Sequence, residues 1–336
     1  MQTDKLIYID GFQPNNSNYY WLDSFKKVFK EVHIINIFNK EERNHSFIMN
    51  KVNLIKPDMV HMGGSSKHDG QVPLPTLSLI KKKVNRVTSF YGDVFYNPYL
   101  EKRSQIIDLT ILTNASLLFN NKIKYYPCPI KLEWDRPENP TPKYDLAFIG
   151  NNYSETRRKF LLELAKDFSV TVFGKGWEGL QKLNPQGSCK VEDAPQNYRQ
   201  AKIAVDDPVT NYCKYTGVNI QCSRANVKYF KKSICQNEDC PDFEPTWKWF
   251  SNRVIIMMLS RRPILAAKRN GQERVIQNVE YYDGFKDVKT AKEKIKYILN
   301  NPLYGSELAN KARKEVEKYN FDRLVSFLVG RMKTFY

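Results

Sequence analysis

Short apolar runs, rich in β-branched and aromatic residues, recur along the first part of the chain. They are LIYID (Leu6 to Asp10), VHIINIF (Val32 to Phe38), DMVHM (Asp58 to Met62), RVTSFY (Arg86 to Tyr91), LTILT (Leu109 to Thr113) and KYYPC (Lys124 to Cys128). Runs this short and this continuously apolar predict strands buried on both faces of a sheet. Segments with helical spacing stand between several of them. In WLDSFKKVFKEV (Trp21 to Val32), Leu22, Phe25, Val28 and Phe29 share one face, and LPTLSLIKKKV (Leu74 to Val84) also reads as helix. This alternation is the βαβ rhythm of a parallel sheet covered by helices.

The rhythm pauses at DRPENPTPK (Asp135 to Lys143), which carries three prolines and no hydrophobic periodicity, and so reads as an interdomain linker. It then restarts. YDLAFIG (Tyr144 to Gly150), VTVFG (Val170 to Gly174), KIAVD (Lys202 to Asp206) and PILAA (Pro263 to Ala267) predict a second set of strands, with RRKFLLELAKDF as a helix between the first two. The expected α/β organisation is two doubly wound parallel-sheet domains, residues 1–136 and 137–318, the second carrying an insert at 210–246. A final helix in 319–336 is expected to pack back toward the first domain. A length of 336 residues agrees with two hydrophobic cores rather than one.

Composition narrows the class. Hydrophobic residues make up 41% of the chain and no apolar run nears the ~18 residues of a membrane span, so no span is expected. The chain begins directly with a strand-like segment rather than a secretory signal, and a cytoplasmic protein, monomeric, is expected. Lys and Arg number 53 against 36 Asp and Glu, a net charge of +17. Such an excess suits a polyanionic partner such as DNA, and equally suits solvated helix faces such as Lys289 to Lys296.

Candidate chemistry gathers where strands end. Gly150-Asn151-Asn152 follows one predicted strand and Phe173-Gly174-Lys175-Gly176 the next, with Arg157 and Arg158 opening the helix between. Ligands of open parallel sheets collect at the carboxyl ends of the strands. There glycines allow close backbone approach, and a guanidinium fork can close on a diphosphate. The competing reading is an ordinary strand-to-helix turn with solvated arginines.

The pieces YDLAFIGNNYSETRRKFL, VTVFGKGW, YRQAKIAVDD (Tyr198 to Asp207), SNRVIIMMLSRRPIL (Ser251 to Leu265) and the terminal FDRLVSFLVGRM resemble GT-B glycosyltransferases. The group in question includes the spore-maturation-type enzymes and the T-even phage DNA β-glucosyltransferase. The resemblance covers most of the chain and implies two Rossmann-like domains facing a cleft, with a nucleotide diphosphate sugar, UDP-linked, as co-substrate and no obligatory metal. It implies that Gly150, Arg157 and Arg253 bind the donor, and the strand-end turns add Asn151, Asn152, Phe173 and Gly174 to the expected donor site. It also implies an aspartate base at the end of an N-terminal strand, which maps onto Asp93, with Asp10 as the alternative. The resembling phage enzyme further suggests a 5-hydroxymethylated pyrimidine in DNA as acceptor, and a place in the host cytoplasm if the chain is phage-encoded. A glycan precursor or a protein is the alternative acceptor, and a non-catalytic nucleic-acid-binding scaffold the alternative to an enzyme.

Two positions depart from the family pattern. Its R-x-x-E glutamate, which holds the donor ribose, is Ile256 here, and a later glycine is Arg261. Either Asp206, Asp207 or Glu273 then serves the ribose or the donor is an unusual one, since an unreplaced acceptor costs on the order of 1–3 kcal/mol. On the first domain His61, Gly63, Gly64 and Tyr91 are the expected acceptor-side residues, with aromatics near Asp93 either stacking on ligand or packing in the core. Finally, Cys213, Cys222, Cys235 and Cys240 follow a C-x8-C-x12-C-x4-C spacing, which is either a structural zinc site or separate reduced thiols.

Overall fold

The computed structural model describes residues 5–12, 18–63, 72–91, 98–113, 121–152, 155–207, 211–213, 221–222, 227–228, 243–245, 251–269, 272–283 and 288–330. The chain divides into two compact units. The first comprises Met1–Pro129, Cys213–Cys235 and Phe321–Tyr336, and the second Ile130–Tyr212 and Gln236–Asn320.

In the first unit β1 (Lys5–Asp10), β2 (Glu31–Asn36), β3 (Met59–Met62), β4 (Arg86–Tyr91), β5 (Leu109–Leu112) and β6 (Ile123–Tyr125) form one parallel sheet in the order β2-β1-β3-β4-β5-β6. Helices α1 (Asn18–Lys26), α2 (His45–Ile55), α3 (Leu74–Lys83) and α4 (Pro98–Ile106) connect the strands. Alternation along β1 sorts the two faces. Ile7 and Ile9 join Ile48, Met49 and Val52 of α2 and Leu77 and Ile80 of α3 in one core, whereas the ring of Tyr8 meets Phe25 of α1 on the other. The helix expected to run to Val32 stops at Lys26. Val28 and Phe29 instead close a turn onto the Phe25 carbonyl and are buried there, which frees Val32 for β2.

In the second unit β7 (Tyr144–Ile149), β8 (Val170–Phe173) and β9 (Ala201–Val205) belong to another parallel sheet. Along the chain β10 (Asn211–Cys213), which pairs with β13 (Phe243–Pro245), and the antiparallel pair β11 (Gln221–Cys222) and β12 (Val227–Lys228), which belongs to the first unit, precede β14 (Ile264–Ala267) and β15 (Glu280–Tyr282), which complete the second unit's sheet in the order β15-β14-β9-β7-β8. Its helices are α5 (Glu155–Leu164), α6 (Ala194–Tyr198), α7 (Asn252–Met258), α8 (Gln272–Val275), α9 (Val288–Asn300) and α10 (Pro302–Glu315). Leu146, Phe148, Phe160, Leu161, Leu164, Ile295 and Ile298 share its main core. The last helix, α11 (Phe321–Leu328), packs against α1 of the first unit. Phe321 meets Trp21 edge to face, and Asp322 accepts from Ser24 Oγ at 2.5 Å and Lys27 Nζ at 2.6 Å.

The proline-rich segment is pinned within the second unit. The Asp135 side chain is buried, and Arg199, Arg261 and Arg313 all reach its carboxylate, Arg261 Nη2 at 2.9 Å and Arg313 Nε at 2.5 Å. Arg199 also donates to the carbonyls of Arg136, Glu138, Leu259 and Ser260. Arg261 has φ 55°, in the left-handed region that favours glycine. No helix among the described residues is long and apolar enough to cross a membrane.

Candidate functional site

Both sheets follow the same winding. The chain adds its second strand on one side of the first and its third on the other, so a topological switch point lies between β1 and β3 in one unit and between β7 and β9 in the other. In doubly wound folds, this is where loops part and ligands enter.

At the second unit's switch point the two glycine turns bind each other. Gly150 N donates to the Phe173 carbonyl at 2.8 Å, Asn152 N to the Lys175 carbonyl at 2.8 Å, Lys175 N to Asn151 Oδ1 at 2.9 Å, and Asn152 Nδ2 to the Gly176 carbonyl at 2.6 Å. Trp177 Nε1 closes the lattice on the Gly150 carbonyl at 2.7 Å. Gly174, at φ +134°, lies so close that an added Cβ would stand 2.5 Å from the Gly150 oxygen. Close backbone approach is therefore used between the turns, and the amides of Gly150 and Asn152 are already engaged. Phe173 is buried at the end of β8.

Beside this lattice, three arginines surround two aspartates. Asp206 and Asp207 follow β9 and are buried. Arg157 Nε and Nη2 donate to Asp207 Oδ2 at 3.0 and 2.6 Å, and its Nη1 donates to the Asn151 carbonyl at 2.5 Å. Arg253 Nη1 bridges Asp206 Oδ1 at 2.7 Å and Asp207 Oδ1 at 2.5 Å, Ser251 Oγ donates to Asp206 at 2.9 Å, and Arg269 Nη2 lies 3.5 Å from Asp206 Oδ2. The Phe148 ring lies between two guanidiniums, with Arg253 Cζ 4.9 Å and Arg157 Cζ 5.3 Å from its centroid. An added Cβ on Gly150 would meet Arg253 Nη2 at 3.0 Å, so the glycine makes room for that side chain. Burial pushes both carboxyls up, but the Arg157, Arg253 and Arg269 charges hold Asp207 well below the usual range, whereas burial prevails at Asp206.

These positions refine the expected roles. The Arg157 side chain is 1% exposed, because α5 buries positions 157, 160, 161 and 164 on one face, and Arg158 falls outside that set. Arg157 thus braces Asp207 and the Asn151 loop from within. Arg253, 21% exposed, is the guanidinium of the cluster that reaches solvent. Asp206 and Asp207, expected as ribose acceptors, are taken up by arginines and Ser251. Ile256 stands half-buried one turn beyond Arg253 on α7.

The first unit's switch point carries a carboxylate. Asp10, at the end of β1 and buried, accepts from Tyr8 Oη at 2.9 Å through Oδ2 and from Gly11 N at 2.6 Å through Oδ1. Gly63, just past β3, lies against it, and an added Cβ would fall 1.7 Å from Asp10 Oδ2. Burial first, then the Asp10 charge, push the Tyr8 phenol well above its ordinary range. His61 does not line a surface. It is fully buried among Tyr8, Trp21 and Phe25, with Nδ1 2.8 Å from Thr88 Oγ1, and burial pushes its imidazole down to about 3. Tyr91 likewise packs in a core cluster with Leu100, Leu112 and Ile123 rather than presenting its ring to a ligand. Asp93, Gly64, Cys235 and Cys240 lie outside the described residues, as do the side chains of Cys213 and Cys222.

No family model matches the chain, and no curated protein matches it. Solved structures do. One is a glycosyltransferase from Rickettsia africae ESF-5, at 11% identity over 99% of this chain and 100% of that one, with a TM-score of 0.58. Another is Anabaena Alr3699/HepE in complex with UDP and glucose, at 10% identity over 98% and 100%, TM-score 0.59. A third is an alpha-glucosyltransferase in complex with UDP and a 13-mer DNA containing a central A:G mismatch, at 9% identity over 97% and 99%, TM-score 0.56. At these identities the likeness speaks for architecture. With its two doubly wound parallel-sheet units, the chain has the GT-B glycosyltransferase fold.

Proposed function

We propose that this protein is a glycosyltransferase that moves a hexose from UDP-glucose or a related nucleotide sugar to a hydroxyl group. The observation that carries this reading is the arginine-aspartate cluster at the second switch point, where three guanidinium charges face two carboxylates and Arg253 reaches solvent. A surplus of positive charge in a largely buried site favours an arriving diphosphate and stabilises it as a leaving group without requiring a metal. Complexes with UDP or UDP-glucose among the structural neighbours support the donor class.

Asp10 is the proton acceptor of this proposal. It stands at the switch point of the other sheet, where Tyr8 Oη and Gly11 N donate to it; Asp93, the first-named candidate for this role, lies outside the described residues and stays the alternative. In a single displacement with inversion the acceptor oxygen bonds to the anomeric carbon as its proton passes to the carboxylate. The bond to the diphosphate breaks and its electron pair leaves with UDP. The proposed acceptor is a 5-hydroxymethylated pyrimidine in DNA, supported by the net charge of +17 and by the DNA complex of one neighbour. Such a base would be flipped out of the duplex to react.

Calorimetry with UDP and turnover of a nucleotide-sugar panel test the donor. Arg253→Ala is expected to weaken UDP about tenfold or more, since charge-assisted bonds to phosphate are lost. Unchanged affinity removes Arg253 from the site, and an absence of turnover alongside DNA binding favours the non-catalytic scaffold. Mass spectrometry of nucleosides from 5-hydroxymethylated DNA incubated with donor tests the acceptor. Hexose found only on glycans or protein excludes DNA.

A further inference from the structure

Tyr8 stands in an unusual place for a tyrosine. It lies in the middle of β1, fully buried, and its ring is enclosed by Phe12, Phe25 and His61. An apolar side chain would fill such a site at lower cost, because a buried hydroxyl must find a partner. The partner is Asp10, two residues along the same strand and therefore on the same face of the sheet, at 2.9 Å. From the adjacent strand Gly63 closes the other side of the carboxylate, leaving no room for a Cβ, and its hypothetical Cβ would also stand 3.1 Å from Tyr8 Oη. Phenol, carboxylate and bare Cα are thus fitted together at the switch point, where β1 and β3 part.

We propose that Tyr8 is a positioning residue for the transfer reaction: its hydroxyl fixes the Asp10 carboxylate against Gly63 in the orientation, and in the ionised form, needed to take the proton of the acceptor hydroxyl. This rests on the reading of Asp10 as the base. A hydrogen bond donated to a carboxylate favours its charged form, and one donated from a ring locked in the core also fixes its direction. Gly63 acts with it, since any side chain there would drive the carboxylate off its line.

The test follows UDP release from UDP-glucose across pH, together with carbon-13 NMR titration of the Asp10 carboxyl, which Asp10→Asn assigns by removing the signal. In Tyr8→Phe the ring packing is kept and the donor bond lost. Turnover is expected to fall about tenfold at unchanged KM for UDP-glucose, and the acid limb of the profile and the Asp10 titration are both expected to rise by roughly half to one pH unit. With 3-fluorotyrosine at position 8, a nearly isosteric and stronger donor, both are expected to shift the other way. Gly63→Ala is expected to lower turnover while UDP affinity stays unchanged. Opposite shifts from the two Tyr8 substitutions are something a purely structural role cannot give. An Asp10 titration unmoved by either substitution overturns the inference even if Asp10→Asn abolishes turnover, in which case the base reading stands without Tyr8. Full turnover in Asp10→Asn overturns the base reading, and the inference with it.

Discussion

The two switch points share a winding order and differ in nearly everything else. At the one between β7 and β9, charges neutralise charges, with Asp206 and Asp207 enclosed by Arg157, Arg253 and Arg269. At the one between β1 and β3, a phenol and a backbone amide donate to Asp10, and burial keeps His61, beside the Tyr8 ring, neutral. Asp207, with three guanidiniums around it, is held ionised and is a poor base near neutral pH, while burial prevails at Asp206. At Asp10 the donated hydrogen bonds fix the direction of the carboxylate, which a proton acceptor needs. One topology thus carries an arginine-aspartate cluster in one unit and, in the other, the carboxylate proposed as proton acceptor, and the local residues decide which is which.

The largest effect that would break this comparison is loss of a charge from the cluster. Asp207→Ala leaves Arg157 buried without its partner, and the second unit is expected to lose about 3–5 kcal/mol, the usual cost of breaking a buried pair. Urea unfolding followed through Trp177, which lies in that unit's core, measures it. A loss under about 1 kcal/mol would show that the cluster is solvated and the contrast with Asp10 unfounded.

Acid should sharpen the contrast. The His61 imidazole titrates at about 3 in the folded protein and near 6.5 when unfolded, so the unfolded chain takes up the proton first. Its contribution to stability is complete above about pH 6.5 and declines by roughly 1.4 kcal/mol per unit as pH falls toward 3. Asp207 has a depressed folded pKa, so its contribution is complete above about pH 4 and is lost only below that. The first unit should therefore open to hydrogen exchange between pH 6 and 4.5 while the second stays protected. His61→Gln, which cannot titrate, should flatten that slope in the first unit, and an unchanged slope would contradict this account.

The smallest effect is expected at Arg261. Glycine there removes left-handed strain of order 1 kcal/mol and also one half-exposed partner of Asp135, which keeps Arg199 and Arg313. The two changes nearly offset, and the thermal midpoint of Arg261→Gly should lie within about 2 °C of the parent. A large loss would make Arg261, rather than Arg199, the main clasp on the proline-rich segment.

Most of the strands were legible because buried parallel strands are written locally, as unbroken apolar runs such as LIYID and RVTSFY. β15 was missed because EYY is three residues long and carries a charge. The candidate site was legible in its addresses more than in its contacts. Gly150, Arg157 and Arg253 were singled out by type and position, but their partners lie up to 50 residues away along the chain, a pairing that no local pattern encodes. One of these contacts does leave a local trace. Arg157 shares helical spacing with Phe160, Leu161 and Leu164, which marks it as facing inward.

The docking of α11 on α1 has a consequence for biosynthesis. Ser24 and Asp322 are 298 residues apart, and the whole second unit, Ile130 to Asn320, is translated between them. At the ribosome that unit can gather its strands and helices as soon as it emerges. The first unit must wait with the Trp21 side of α1 uncovered, because Phe321, Leu324 and Val325 have yet to be made. The half begun first is therefore the half finished last, and for that interval a tryptophan-bearing helix face is what a chaperone would find to hold.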